Sequence, residues 1–374
     1  MFRIYKYLLR PTRRQETMLD FLLQQSRFVY NKALEQRIQA YQETGQTPHF
    51  ASQWPYFRDL RHVNPDTLGK LNVSCLLATL RRLEWAYGAF FRRLKSGETP
   101  GFPKFKSERS FQSFEIRYGN GCKLRFSPQG RAHFYVQNVG EIRMCFHRNL
   151  PENSSIRRAI IKRKNDRWNV FLIVKMQMTD PQPKPIATLG IDVGLKSLLA
   201  FSNGTLIENP RWFQNKLSRL RLINCHVCRS HKGSHRRVKS SKRVARFYEK
   251  VANQRRDYLH KITRILVDNN KFIAIEDISM EFMIKNEYLA LESRDASLAT
   301  FRHFLEYKAI ATGVKVVAVK PAYTSQRCSG CGELVEKDLD TRVHACPHCG
   351  LVLDRDVNAA RNILQAALAQ VNTQ

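Results

Sequence analysis

Residues 188–208, TLGIDVGLKSLLAFSNGTLIE, decide the fold class of the second half of the chain. Three apolar runs alternate with turn signals, and the Asn203-Gly204 pair is of the type that closes a tight hairpin. The pattern predicts a meander of three antiparallel strands, with Asp192 in the middle of the first apolar run. A carboxylate at such a position costs free energy unless it faces a metal ion or a cation. Asp192 is therefore a candidate functional residue.

Two further acidic residues, Glu276 and Asp356, stand in comparable places downstream. Glu276 closes a second apolar run, and Asp356 opens the last predicted helix, at about 356–371. A predicted helix at about 296–312 and a strand at 314–320 lie between the two acids. Each acid by itself also has an ordinary structural explanation, as a strand-end acid, a turn residue or a helix N-terminal acid favoured by the helix dipole.

The order of these elements indicates a site more strongly than any one acid does. A meander with a central aspartate, a helix, a strand ending in glutamate, a helix, a strand and an aspartate on a final helix form a ribonuclease-H-like α/β arrangement. Such an arrangement gathers three distant carboxylates at one edge of the sheet. Hard oxygen ligands of this kind hold two Mg²⁺ ions, of which one activates water and the other stabilises the leaving 3′ oxygen of a phosphodiester.

Four of the nine cysteines form two CxxC pairs, Cys328 with Cys331 and Cys346 with Cys349, separated by 14 residues. Each pair is followed directly by a glycine, which permits the tight turn that points backbone amides at sulfur. Four thiolates suit one tetrahedral Zn²⁺ ion and leave no open position for water. The spacing therefore predicts one structural zinc ion.

A second set of metal-binding residue types, Cys225, Cys228, His231 and His235, lies inside a basic region with a helical pattern. A helical backbone does not form the knuckle turns that a zinc ribbon needs. We therefore expect these four residues to be ordinary helix residues and not metal ligands.

Charge points to a polyanionic partner. The chain has 63 Lys and Arg against 32 Asp and Glu, a net charge of +31, and a pI near 10.1. Such an excess repels itself unless a polyanion is bound, and it favours nucleic acid over a small neutral substrate. The sequence contains neither an 18-residue apolar run nor the apolar stretch of a secretory signal near its start, so we expect an unexported protein without a membrane span.

Two stretches concentrate this charge. Residues 211–261 carry 16 Lys and Arg against two acids, so salt bridges within the chain cannot absorb the charge, and phosphate contact is favoured over a solvated surface. The residues that we expect to contact phosphate there are Arg236, Arg237, Lys239, Lys242 and Arg243. Lys104 and Lys106 alternate with Phe102 and Phe105 in a Gly/Pro loop, a pairing of charge with stacking surface that is typical of nucleic-acid contact.

The first half of the chain shows a different pattern. Residues 2–9 form a short strand candidate, and helical periodicity follows at about 15–41 and 73–94. Between about residues 111 and 178 the period falls toward two, which predicts a small antiparallel barrel that the first strand completes and the helices interrupt. A proline-marked linker at 179–187 is the clearest domain boundary.

Four ordered motifs resemble one known family. GIDVG at 190–194, IAIEDI at 273–278, TSQRCSGCG with CPHCG at 324–350, and DRDVNAARNI at 354–363 resemble the RuvC-type nuclease motifs and zinc ribbon of TnpB proteins. These are transposon-encoded, RNA-guided DNA nucleases related to type V CRISPR effectors. RFVYNKAL, GFPKFK and the basic helix extend the resemblance over nearly the whole chain.

The resemblance implies site residues and a layout. It assigns Asp192, Glu276 and Asp356 as catalytic acids that hold two Mg²⁺ ions, with Asp354 as a neighbouring alternative to Asp356, and the four CxxC cysteines as ligands of one Zn²⁺ ion. It implies a multidomain α+β protein in which an antiparallel wedge β-barrel holds an inserted helical recognition domain and precedes an RNase H-like (RuvC) α/β nuclease domain with an inserted zinc ribbon. The implied boundaries are 1–10 and 111–180 for the barrel, 11–110 for the helical domain, 181–322 for the nuclease domain, 323–352 for the zinc ribbon and 353–374 for the last nuclease helix.

The resemblance also implies an activity. Such a protein binds a guide RNA made from a transposon end, one protein per guide, recognises a short motif beside its target, and makes double-strand breaks in DNA through one RuvC-like site. We expect it in the prokaryotic cytoplasm, associated with the nucleoid. The alternatives are a DNA-strand-transferring transposase, a guide-RNA or DNA-binding regulator with an inactive nuclease, and a junction-resolving nuclease without a guide. The zinc ribbon directly before the third acid argues against the transposase, and the three intact carboxylates argue against the inactive regulator. The long upstream half argues against the junction-resolving nuclease.

Overall fold

The computed structural model describes residues 1–177, 187–277, 290–320, 323–338 and 341–372. The chain divides into two compact units, Met1–Met178 and Thr179–Gln374. All but the last residue of the proposed proline-marked linker, 179–187, lie outside the described residues.

The first unit contains a curled seven-stranded antiparallel sheet with the strand order β2-β6-β7-β1-β5-β4-β3. Its strands are β1 (Phe2–Arg10), β2 (Ser113–Arg117), β3 (Cys122–Phe126), β4 (Ala132–Val136), β5 (Gly140–Cys145), β6 (Ser154–Lys164) and β7 (Arg167–Met176). The first strand of the chain therefore pairs with β7 on one side and β5 on the other. Within residues 1–177 the edge strands meet at one bridge, between Tyr118 and Cys122, so the sheet curls without closing along its full length.

Three helices lie between β1 and β2, at the place where the sequence predicts an insertion: α1 (Arg13–Thr44), α2 (Phe50–Val63) and α3 (Val73–Lys95). α1 begins at a capping box of Thr12 and Gln15 and ends at Gly45, whose φ of 69° is the left-handed conformation predicted for a glycine C-cap. The sequence analysis missed α2, in which only Gln53 and Phe57 are fully buried and Phe50, Trp54 and Leu60 are partly buried against the same core.

The second unit contains a mixed five-stranded sheet with the order β10-β9-β8-β11-β12. β8 (Thr188–Val193), β9 (Ser197–Phe201) and β10 (Leu206–Glu208) form the predicted antiparallel meander. β11 (Phe272–Glu276) pairs in parallel with both β8 and β12 (Lys315–Val319). A separate hairpin joins β13 (Val343–Ala345) and β14 (Val352–Asp354).

In the described part of this unit, five helices accompany the sheet: α4 (Leu217–Cys228), α5 (His235–Asn269), α6 (Ala290–Ala296), α7 (Leu298–Thr312) and α8 (Arg355–Asn372). α5 buries an apolar stripe that includes Phe247, Leu259 and Leu266 and exposes most of its basic residues. None of the described helices has both the length and the apolar character that a membrane span requires.

The contact between α8 and β8 explains a glycine in the GIDVG motif. A methyl group on Gly190 would lie 2.1 Å from the carbonyl oxygen of Ala360, so only glycine allows the helix to pack this closely. Side chains two apart on a strand share a face, so Asp192 lies on the same face of β8 as Gly190. Asp356 lies one turn before Ala360 on α8. The close approach thus brings the two aspartates to the same region.

Candidate active site and metal centre

Asp192 and Glu276 lie side by side on neighbouring parallel strands. Ile191 of β8 and Ile275 of β11 are register partners, and the two acids are the next residues on each strand. Both therefore lie at the carboxyl ends of these strands. Asp356 lies in the first turn of α8, and the structure brings the three predicted acids, here called the acid cluster, together at this edge of the sheet.

The three carboxylates are near enough to act on one another electrostatically. Burial raises the pKa of Asp192 to about 8, and the nearby carboxylates of Glu276 and Asp356 act in the same direction. Burial also raises the pKa of Glu276, although a hydrogen bond from Thr324 opposes this effect. A partly buried group of carboxylates of this kind is short of positive charge, and its all-oxygen donor set is the kind that Mg²⁺ prefers.

Asp354 and Asp356 have different contacts. The Asp354 carboxylate accepts hydrogen bonds from the backbone N–H groups of Asp356 at 2.8 Å and Val357 at 3.3 Å, so it caps the N-terminus of α8. Asp356 instead faces the acid cluster, with the Arg355 Nε atom 3.4 Å from its Oδ1. The geometry favours Asp356 over Asp354 as the third acid.

The four CxxC cysteines converge, and their sulfur atoms lie within 4.8 Å of one another. The Cys328–Cys349 and Cys331–Cys346 sulfur pairs are each 3.6 Å apart. Tetrahedral Zn²⁺ with bonds of about 2.3 Å needs sulfur atoms about 3.8 Å apart. The arrangement of the cysteine cluster is therefore close to that of a tetrahedral zinc site.

The two CxxC turns have the same backbone geometry. Gly332 donates to the Cys328 carbonyl at 2.9 Å and Gly350 to the Cys346 carbonyl at 3.0 Å, and both glycines have positive φ, 87° and 73°. Burial raises the pKa of the Cys328 thiol, but backbone N–H groups of the turn stabilise its thiolate and bring the pKa to about 7. The turns thus favour the thiolate form that a metal needs at the first cysteine of each pair, Cys328 and Cys346.

The sequence analysis missed two asparagines of α8 that connect the acid cluster to the cysteine cluster. Asn358 and Asn362 are almost fully buried, and both donate to the backbone carbonyl of Arg327, at 2.7 and 2.6 Å. Buried amide side chains need hydrogen-bond partners, but the sequence alone does not show which partners these two have. They hold the segment that enters the first CxxC turn against α8.

The second Cys/His set forms no metal site. Cys225 and Cys228 are exposed on α4, His231 follows in a turn, and His235 begins α5. The structure describes all four residues, and their ligand atoms do not form a cluster like that of the CxxC cysteines.

The predicted phosphate contacts on α5 differ in their exposure and partners. Arg236, Lys239, Lys242 and Arg243 are exposed at the start of the helix. Arg237 instead donates to the Val227 and Ser230 carbonyls, both at 3.0 Å, near the C-terminal end of α4. Arg243 also lines a cleft of about 460 Å³ between α4 and α5. This cleft adds four cations that the sequence analysis did not single out: Lys216, Arg219, Arg246 and Lys250.

The loop that carries Lys104 and Lys106 is fixed to α1. The Asn31 side chain accepts from the Lys106 N–H at 2.8 Å and donates to its carbonyl at 3.0 Å. The Lys106 ammonium lies 5.7 Å from the centre of the Tyr30 ring, whereas Lys104 is exposed. The RFVYNKAL motif, which contains Asn31, and the GFPKFK motif, which contains Lys106, therefore contact each other.

Three family models match parts of the chain. OrfB_IS605, described as "Probable transposase", matches residues 171–287, and "Cas12f1-like, TNB domain" matches residues 299–363, which include the cysteine cluster. "Helix-turn-helix domain" matches residues 1–46, although residues 13–44 form one uninterrupted helix in this structure.

Similar proteins cover nearly the whole chain. A "Putative RNA-guided DNA endonuclease" of Streptomyces pristinaespiralis is 32% identical over 98% of this chain and 90% of its own length. "Putative RNA-guided DNA endonuclease InsQ" of Escherichia coli K12 is 28% identical over 98% of this chain and 92% of its own length.

Solved structures share the fold at low identity. A Cas12f1–sgRNA–target DNA complex matches with a TM-score of 0.60 and 17% identity over 92% of this chain and 82% of the other. The mini-RNA-guided endonuclease CRISPR-Cas_phi3 matches with a TM-score of 0.62 and 8% identity over 98% and 92%. From the extent of the alignment to the Streptomyces protein and from the matching family models, the chain belongs to the TnpB family of OrfB-type proteins.

Proposed function

We propose that this protein is an RNA-guided, magnesium-dependent DNA endonuclease that cuts both strands of its target at the acid cluster. The observation that carries the proposal is the meeting of Asp192, Glu276 and Asp356 at one sheet edge. Two relatives that align over 98% of the chain are named as RNA-guided DNA endonucleases, and this supports the guided activity. In this proposal the second unit is a RuvC-like nuclease domain, and the curled sheet with its inserted helices is the wedge and recognition part.

The side chains have separate tasks. Asp192, Glu276 and Asp356 would hold two Mg²⁺ ions, which supply an activated water and stabilise the leaving 3′ oxygen. The acids themselves would fix where the scissile phosphate is held. The cysteine cluster would hold one structural Zn²⁺ ion. The described residues contain one such acid cluster, so both strands would be cut there in succession.

Recognition would be divided between RNA and protein. A guide RNA from the transposon end, one per protein, would pair with the target strand, and exposed cations such as Arg236 and Lys239 would contact the backbone of the hybrid. The protein would read only a short motif beside the target. The similar Cas12f1 structure is a complex with a single guide RNA and target DNA, which supports both kinds of partner here.

The test starts with the RNA that copurifies with the protein, which we expect to be a discrete species ending in variable transposon-flanking sequence. With that RNA, the protein should linearise a plasmid that matches the guide. Ala at Asp192, Glu276 or Asp356 should slow cutting of both strands roughly a thousandfold, which corresponds to ~4 kcal/mol of transition-state stabilisation, and should leave RNA and DNA binding nearly intact. Bulk degraded RNA, or a variant of the acid cluster that still nicks one strand at the wild-type rate, would contradict the proposal.

Asp354→Ala is the matched control for Asp356→Ala. Loss of a helix N-cap costs about 1 kcal/mol of stability, so this variant should melt earlier and still cut. If Asp354 proves to be the essential acid and Asp356 dispensable, the assignment of the third acid is wrong.

A strand-transferring transposase is the second candidate, because the model that matches residues 171–287 is described as "Probable transposase". Joining of supplied transposon-end DNA to a target plasmid without added RNA would favour it. We expect no joined product in that assay.

A further inference from the structure

Glu276 has a hydrogen-bond partner outside the acid cluster. The Thr324 hydroxyl, in a side chain that is 9% exposed, donates to Glu276 Oε1 at 3.1 Å. Glu276 closes β11, whereas Thr324 lies in the chain between β12 and the first CxxC turn. The contact therefore connects the sheet edge with the segment that enters the cysteine cluster.

That segment, residues 324–329, is held from the other side by α8. Asn362 donates to the Thr324 carbonyl at 2.8 Å and to the Arg327 carbonyl at 2.6 Å. Asn358 donates to the Arg327 carbonyl and accepts from the Ser329 N–H at 2.9 Å. Because the two asparagines bond to the backbone and not to side chains, they fix the path of the segment itself.

The same helix carries Asp356 in its first turn. Asn358 and Asn362 therefore fix Thr324 relative to Asp356, and Thr324 in turn fixes the Glu276 carboxylate. We propose that Thr324 is a positioning residue that orients Glu276 toward the metal ions of the acid cluster, a role that rests on the proposed function. A glutamate has three side-chain torsions, so a carboxylate held by one fixed hydroxyl loses freedom that would otherwise weaken metal binding.

Two substitutions separate the hydroxyl from the shape of the side chain. Thr324→Val keeps the branched shape and removes the donor, whereas Thr324→Ser keeps the donor and removes a methyl group. Thr312→Val is the matched control, because the Thr312 hydroxyl donates at 2.9 Å to the Lys308 carbonyl within its own helix, α7. Asp192→Ala defines which bound ion belongs to the acid cluster.

The measurement is Mn²⁺ binding to the full-length chain without nucleic acid, followed by electron paramagnetic resonance of the free ion. Only the Mn²⁺ that binds to the wild-type protein and does not bind to Asp192→Ala is assigned to the acid cluster. Thr324→Val should weaken this binding roughly 10–100-fold, the usual effect of losing an outer hydrogen bond to a metal ligand, while Thr324→Ser and Thr312→Val should stay within about twofold of wild type. Guided cleavage by Thr324→Val should need a correspondingly higher Mg²⁺ concentration.

Three results would overturn the proposal: wild-type Mn²⁺ affinity in Thr324→Val, equal losses in Thr324→Val and Thr324→Ser, or the absence of any Mn²⁺ that depends on Asp192. Equal losses would mean that packing and not the hydroxyl matters. If Thr324→Val weakens Mn²⁺ binding but the wild-type protein never cuts a guided target, the proposed function is wrong and the positioning role of Thr324 stands.

Discussion

The ammonium group of Lys308, at a partly buried position where α5 packs against α7, donates to the His260 carbonyl at 2.6 Å and to the Thr263 hydroxyl at 2.7 Å. Burial, with a smaller contribution from the Arg264 charge, lowers the pKa of Lys308 from 10.5 to about 8. Between these two pH values the folded chain holds fewer protons than the unfolded chain, so its stability should rise with pH across this interval. Below pH 8 both states are protonated, and the folded state bears the full cost of the buried charge.

Lys308→Met should remove this contribution. We expect the unfolding free energy of the variant to change less between pH 8 and 10.5 than that of wild type. The missing hydrogen bonds should lower the unfolding free energy by the same amount at every pH and so should not affect this comparison. Urea unfolding at several pH values measures the slope. Lys315→Met, at an exposed position, is the control, and identical slopes for wild type and Lys308→Met would contradict the prediction.

Among single residues, the sequence predicted those whose chemistry is unusual for their position in an element. Asp192 was found because a carboxylate rarely interrupts an apolar strand, and the cysteines because their spacing is specific. Thr324, Asn358 and Asn362 were not found, because a hydroxyl or an amide becomes informative only when its partner is known. Their partners lie as far as 48 residues away in the chain, in the case of Thr324 and Glu276.

Among the elements, the start of α5 places two adjacent arginines in different surroundings. Arg236 is exposed, whereas Arg237 is bonded to carbonyl groups near the C-terminal end of α4. The logarithm of the RNA-binding constant falls linearly with the logarithm of the salt concentration, and Arg236→Gln should make this slope shallower by roughly 0.7–0.9. The melting temperature should not change. Arg237→Gln should cost about 1 kcal/mol of stability and change the slope less. Salt titrations and thermal melts of both variants check this, and a reversed pattern would contradict it.

Secondary structure followed from periodicity where one face of an element is apolar. β8 to β12, α1, α3 and α8 appear where the pattern predicts them. α2 was missed because its few buried residues include Gln53, which bonds to the buried guanidinium of Arg37 at 2.8 Å. Arg37 also pairs with Glu84 at 2.5 Å, so α1, α2 and α3 are joined partly by a polar network that hydrophobic periodicity cannot predict.

At the scale of the whole molecule, two compact units should respond differently to loss of metal. Ligand loss removes folding free energy from the unit that holds the ion. Cys328→Ser with Cys331→Ser, or zinc chelation, should therefore lower the melting transition of the unit Thr179–Gln374 and leave that of Met1–Met178 near its wild-type position. Calorimetry together with zinc analysis, which should give about one ion per chain, tests this. Stoichiometric zinc after replacement of all four cysteines would refute it.

The central position of β1 in its sheet has a consequence for the order of events during synthesis. β1 ends at Arg10, and its longer partner β7 begins only at Arg167. At ~5–20 residues per second, the ribosome needs roughly 8–30 s to make the intervening chain. Until β5 (Gly140–Cys145) is made, the first strand has both edges unpaired, and the edge that pairs with β7 stays open for the whole interval. The nascent chain therefore presents a binding site for chaperones long before the sheet can assemble.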